Sequence, residues 1–143
     1  MGTGSFDYSL LFNYLVRNEK WGLQVQTSFD LKGVNRFDYK FGNQSDSNLR
    51  LLYWQNLGRS QNALLIPFLE MGHAWSGVDY EDHSNSLRNE LSGGQSLLLG
   101  AGVNLFVKKI GINASAQKPF WQEVAKGSIE QKTQLRLALN YLF

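Results

Sequence analysis

The chain has 143 residues, enough for one domain with a core of its own, read here as a single unit over 1–143. Its net charge of +2 gives no electrostatic reason to expect nucleic acid, and the absence of cysteine excludes a disulfide scaffold and a thiolate metal site. No run approaches the roughly 18 apolar residues that a membrane helix needs; the longest apolar region, Leu97 to Val107, is broken by Gly100, Gly102 and Asn104.

Taken in chain order, the hydrophobic pattern has period two almost throughout. The start, "MGTGSFDYS", carries no basic stretch and no apolar stretch, so no signal peptide is expected there. Phe6 to Val16 sets Phe6, Tyr8, Leu10, Phe12, Tyr14 and Val16 on one face, against Asp7, Ser9, Leu11, Asn13, Leu15 and Arg17. Trp21 to Leu31 alternates Trp21, Leu23, Val25, Thr27, Phe29 and Leu31 with Gly22, Gln24, Gln26, Ser28, Asp30 and Lys32. A third segment sets Leu49, Leu51 and Tyr53 against Asn48, Arg50, Leu52 and Trp54. A fourth, about Ala63 to Trp75, sets Leu65, Pro67, Leu69 and Met71 against Ile66, Phe68, Glu70 and Gly72. The fifth, Leu97 to Lys108, places Gly100, Gly102, Asn104, Phe106 and Lys108 opposite its aliphatic residues. The sixth is Ile110 to Gln117. The seventh, "LRLALNYLF" over 135–143, puts Leu135, Leu137, Leu139, Tyr141 and Phe143 against Gln134, Arg136, Ala138, Asn140 and Leu142. Side chains alternate faces along a strand, so each segment reads as a strand with one apolar and one mixed or polar face. No helical period is sustained, and little helix is expected.

The connections alternate in length. "RNEK" (17–20), "NLGRSQ" (56–61) and "VKKIG" (107–111) are short; 32–46, 76–96 and 118–132 are long and polar. This is the pattern of an antiparallel up-and-down meander with tight turns at one end and extended loops at the other. Two architectures fit. A soluble ligand-binding barrel or sandwich buries the apolar face inside. A transmembrane β-barrel turns that face to lipid, keeps a polar lumen and carries aromatic girdles. Tyr8, Tyr14, Trp21, Phe29, Tyr53, Trp75, Tyr141 and Phe143 fall mainly near segment ends on the apolar face, where amphipathic rings meet a membrane interface. The all-β transmembrane barrel is therefore the expected fold.

"LRLALNYLF" resembles the C-terminal signature of bacterial outer-membrane β-barrels, with apolar residues at every second position and a final aromatic. The resemblance implies that Leu135, Leu137, Leu139, Tyr141 and Phe143 form an assembly signal read by the barrel assembly machinery. It implies a protein in outer-membrane lipid of a Gram-negative bacterium. "GTGSFDYSL", the long Gly/Asn-rich loops and "INASAQKPFWQ" are similar to the outer-membrane transporter family of the phenol meta-pathway type. Counting strands back from a periplasmic end places residue 1 outside the cell. Single-chain bacterial barrels usually have an even strand number. The chain is thus expected to be the C-terminal part of a larger barrel, unless "NRFDYKFGN" (35–43) supplies an eighth strand; extension of neighbouring strands above the membrane is the preferred reading of that stretch.

The candidate site is the lumen. Asp30, Lys32, Arg50, Glu70, Lys108 and Arg136 come from inward positions, where such residues set solute preference in an open pore or pair and plug a narrow one. Asp7 is placed inward near the outer rim, and inward Gly100 and Gly102 point to strong curvature or close approach by another element. His73 with Ser76 and Asp79 is the one conceivable hydrolase constellation, and Asp79, Glu81, Asp82 and His83 the one conceivable cation cluster; a solvated loop explains both. "SGGQ" (92–95) reads as a turn, not a phosphate loop. No cofactor and no catalysis are expected. Passive passage or binding of a small solute is the expected function, with a closed-lumen structural or adhesive barrel as the alternative and oligomers admissible.

Overall fold

A computed structural model describes residues 4–57, 63–81, 88–89, 92–127 and 130–141. Eleven strands follow in chain order: β1 Tyr8–Asn18, β2 Trp21–Leu31, β3 Tyr39–Lys40, β4 Gln44–Tyr53, β5 Gln55–Leu57, β6 Ala63–Ser76, β7 Asp79–Glu81, β8 Arg88–Asn89, β9 Gly94–Val107, β10 Ile110–Val124 and β11 Gln134–Tyr141. The only helical element among the described residues is a 3-10 turn, Ala125–Gly127. No helix of the described residues is long and apolar enough to cross a membrane.

The main sheet has the order β1-β2-β4-β6-β9-β10-β11, with β5 also on β6, and each of its pairings is antiparallel. This is the meander expected from the alternation. Its tight turns fall where the sequence places them: Glu19 (φ 49) turns β1 into β2, and Lys108 (φ 53) turns β9 into β10. Both are non-glycine residues in the left-handed region, a conformation that side chains disfavour and tight hairpins demand. β1 and β11 are paired on one side only, so the sheet is open among the described residues.

Three boundaries differ from the sequence reading. β10 runs on to Val124 through Pro119, where 118–132 was expected to be loop; the ladder absorbs the missing N–H with a bulge between Pro119 and Trp121. β4 and β9 start earlier than expected, at Gln44 and Gly94. The stretch 35–43 neither adds an eighth strand to the main sheet nor lengthens its neighbours. Its β3 pairs with β7, and β7 with β8, in a separate three-stranded cap at the long-loop end. Asp79 ties this cap down, accepting from the Tyr39 hydroxyl (2.5 Å) and the Gly42 N–H (2.7 Å).

The pairing register fixes which residues share a face. Tyr14↔Val25, Val25↔Leu49, Leu49↔Met71, Met71↔Leu99 and Ile112↔Leu139 put the apolar set of every strand together. That face is the exposed one: Leu10, Leu69, Leu99, Leu137 and Leu139 are all half or more accessible. The buried strand residues lie on the opposite face, among them Leu52, Ile66, Phe68, Glu70, Ser96, Leu98 and Gln117. The sheet is therefore curled, with an apolar convex face and a mixed, polar concave face. Thr27, Ser45, Ser47 and His73 interrupt the convex face towards the long-loop end. Aromatic rings stand near both ends of its strands: Trp21 and Tyr53, 4.8 Å apart, with Tyr141 at the turn end, and Tyr8, Phe29, Trp75 and Trp121 at the loop end.

The accessible surface is 10282 Å². A compact monomer of this mass exposes roughly 7,400 Å² by the usual scaling. The chain thus presents roughly 2,800 Å² more than a water-soluble globule, and every residue of β1 and β11 is exposed.

Candidate functional site

The concave face changes character along the strands. At the tight-turn end it is apolar: Leu52, Ile66 and Phe68 are buried, with Trp54 and Leu64 packed against them. Trp54 interrupts the ladder between β4 and β5 and turns across the face onto Gly22, where a Cβ would lie 2.4 Å from the indole ring. Arg17 stacks over the same ring at 4.7 Å. Phe68 occupies a second notch over Gly102 and would meet a Cβ there at 2.4 Å. The inward glycines thus make room for neighbouring side chains, which satisfies the expectation of close approach at Gly100 and Gly102.

Midway along the strands sits an ion pair. Arg50 and Glu70 are register partners on β4 and β6, and the Arg50 Nε donates to Glu70 Oε2 at 2.9 Å. The Glu70 side chain has no exposed surface, while that of Arg50 keeps 27% and lies 5.3 Å over the Phe68 ring. Glu70 Oε1 has no hydrogen-bond partner among the described residues. A carboxylate this deep persists because the guanidinium compensates it.

Towards the loops the face becomes polar and recessed. Asp46, Asn48, Gln117, Gln131, Gln134 and Arg136 line a recess of about 210 Å³. A second recess of about 220 Å³ adjoins it through Asp46, Ala74 and Gln131 and is lined also by Ser96. Curling brings β4 and β11 to opposite walls of one hollow, and the long connection after β10 lends Gln131. Asp46, His73 and Arg136 all line the first of these recesses.

At the rim, Asp7 accepts from the Gly33 N–H (3.2 Å) and the Ser5 hydroxyl (2.9 Å) and pairs with Lys32 at 3.3 Å. The Gly33 amide above all, then the Ser5 hydroxyl and Lys32, holds this carboxyl below the ordinary aspartate range.

Of the lumen residues read from the sequence, Arg50 and Glu70 are brought together and Lys32 is joined to Asp7. Asp30 accepts from the Ser9 hydroxyl on the concave face of β1 and β2. Arg136 donates to Gln134 Oε1 at 3.3 Å and faces the recess. Lys108 is a correction: alternation projected it inward, but the strand ends at Val107 and Lys108 lies exposed in the tight turn. Leu135, Leu137, Leu139 and Tyr141 stand exposed along the convex face of β11, while Phe143 lies outside the described residues. His73 and Ser76 fall on opposite faces of β6 by register. Asp82 and His83 also lie outside the described residues.

Sequence reasoning missed the grouping of Asn48, Ser96 and Gln131. Polar alternation marks Asn48 for the inner face, but nothing in the order of residues shows that a loop glutamine will meet it. No family model, no curated protein and no solved structure matches the chain.

Proposed function

We propose that this sheet is wall of a transmembrane β-barrel in the outer membrane of a Gram-negative bacterium, and that its polar concave face binds and passes small solutes without a cofactor. The observation that carries the reading is the inverted distribution of side chains: apolar residues on the exposed convex face, charged and amide residues on the concave one. Water would favour the reverse; hydrocarbon favours this arrangement. The dimensions agree. The convex stretch from Ala63 to Met71, paired with Leu99 to Val107, is nine residues long. At about 3.3 Å per residue and a tilt near 40°, it covers roughly 23 Å of membrane normal, against an apolar band of about 25 Å. The aromatic rings at both strand ends suit the two interfaces. The convex leucines of β11 are the surface on which the assembly machinery would act.

A second reading has its own observation. The Leu52, Ile66 and Phe68 cluster with Trp54 fills the concave face at the tight-turn end, as a closed-lumen structural barrel requires. Conductance separates the two. The full chain is refolded in detergent micelles, run unboiled and boiled in SDS, and then reconstituted in planar bilayers. A heat-modifiable band with discrete conductance steps supports passage, and the band without conductance supports the closed lumen. Material that folds in water and leaves no trace in micelles or vesicles overturns both.

A further inference from the structure

The loop-end recess contains polar atoms that the fold leaves without partners. Asn48 Oδ1, Ser96 Oγ and Gln131 Oε1 are buried and make no hydrogen bond among the described residues, and Ser96 keeps only 1% of its surface. All three line the two adjoining hollows: Asn48 one, Ser96 the other, Gln131 both. Buried polar atoms are almost always satisfied, and leaving one unsatisfied carries the full desolvation cost. Three such atoms around a hollow mark a place where something else supplies the bonds.

We infer that this recess is a binding site for a small uncharged polyhydroxyl solute, of the sugar or polyol class. The inference rests on the wall-and-lumen reading above and names what the wall recognises. Size comes first. The hollows measure about 220 and 210 Å³, below the roughly 300–1,000 Å³ typical of pockets for drug-sized ligands. Charge comes second. The lining carries one carboxylate, Asp46, and one guanidinium, Arg136, with the His73 imidazole beside them, so formal charge favours neither an anion nor a cation strongly. Hydrogen-bonding chemistry comes third. The lining is rich in amides: Asn48, Gln117, Gln131 and Gln134. Each amide presents an acceptor oxygen and a donor NH₂. A hydroxyl both donates and accepts, so a solute carrying several in a row matches amides, the Ser96 hydroxyl, Asp46 and Arg136 at once. A carboxylate has no proton for the three orphaned oxygens; an ammonium has, but leaves the NH₂ groups of the lining and Arg136 without an acceptor.

The probe is D-glucose, titrated into the full chain in detergent micelles and read by isothermal titration calorimetry. Glutamate and lysine at equal concentration are the charged comparisons. A saturable heat of binding with glucose alone is expected. Ser96→Ala and Asn48→Leu are expected to weaken glucose about five- to tenfold while raising the urea midpoint of unfolding, because each removes an orphaned polar atom. A merely structural role gives no such opposition of signs. The inference is overturned if both variants lower the urea midpoint, which would mean that water already satisfies these atoms, or if glutamate or lysine saturates in place of glucose. Absence of a glucose response from chain that partitions into micelles and vesicles overturns the solute class alone. Chain that folds in water and enters neither overturns the reading beneath it.

Discussion

Replacing Arg50 by Met strands the Glu70 carboxylate, whose side chain has no exposed surface and whose only bond among the described residues is the one at 2.9 Å. At that distance the attraction is about 6 kcal/mol for an effective dielectric constant near 20, and desolvation offsets it by several kcal/mol per ion. What an experiment reads is the cost of leaving one ion alone, roughly 3–5 kcal/mol for a buried charge. The reverse substitution, Glu70→Met, is expected to cost less, about 1–2 kcal/mol. Arg50 keeps 27% of its side-chain surface and its place over the Phe68 ring, so its charge stays partly solvated. The double variant should return to within about 1 kcal/mol of the parent, since an apolar pair of similar volume often replaces a buried ion pair without loss. The assay is a double-mutant cycle on the full chain in detergent micelles, by urea unfolding followed through tryptophan fluorescence. Equal costs for the two single variants, or additive costs in the double, would refute the argument, for either would mean that Glu70 is solvated or compensated elsewhere.

Gly102→Val should destabilise by roughly 1–3 kcal/mol through overpacking, because its Cβ would lie 2.4 Å from Phe68 Cζ and 2.7 Å from the Ala114 carbonyl oxygen; Phe68→Leu in the same chain should restore part of it, and no restoration in the urea midpoint would place the clash elsewhere. Leu69→Arg, on the convex face and 62% exposed, should cost about 2–4 kcal/mol in lipid vesicles, and a change within about 0.5 kcal/mol would remove Leu69 from the lipid face. Asp7 titrates below its ordinary value because the Gly33 amide, Ser5 and Lys32 stabilise its charge, so its contribution is present above the unfolded value of about 3.9 and fades as pH falls through the lowered folded value. Hydrogen exchange at the Gly33 amide should therefore show protection at pH 5 that disappears at lower pH, and Asp7→Asn should remove the pH dependence; protection independent of pH in the parent would assign it to the backbone alone.

The strands were legible because period two is a strong pattern and each strand repeats it. Trp21 to Leu31 alternates cleanly, and the register places those residues on one face with Leu49, Met71 and Leu99. β6 is less regular, with Ile66 and Phe68 beside Glu70 on its inner face, yet from alternation Arg50 on β4 and Glu70 on β6 could still be assigned inward. Their pairing could not, because the register of β4 on β6 depends on how the chain breaks at Trp54, and no propensity encodes that. The alternation of the sixth segment ends at Gln117, and 118–132 reads as loop; Pro119 lacks the donor a ladder needs, but the bulge before Trp121 lets β10 continue. Lys108 was carried inward by extending the alternation one residue beyond the strand. The recess was the least legible part. Asn48 and Ser96 are ordinary inward polar residues, and Gln131 belongs to a loop with no period at all.

The direction of the strands adds a constraint that composition does not contain. Every neighbouring pair in the main sheet is antiparallel, and the order β1-β2-β4-β6-β9-β10-β11 has seven members. An odd meander ends in the direction in which it began, so β1 and β11 run the same way, from the cap towards the tight turns. Joining these two edges directly would make a parallel pair, whose bonds are slanted and slightly weaker per residue. Two copies in one orientation, edge to edge, meet the same condition. An antiparallel closure requires an odd number of strands between β1 and β11, whatever supplies them. The requirement is energetic as well as geometric. Each open edge leaves a row of amides and carbonyls unpaired, and in hydrocarbon each such group costs several kcal/mol. In water the cost would be small, and the exposed convex face would be the liability instead. One curled sheet thus joins an exposed apolar face to unpaired polar edges, and the closed transmembrane wall proposed above would accommodate both.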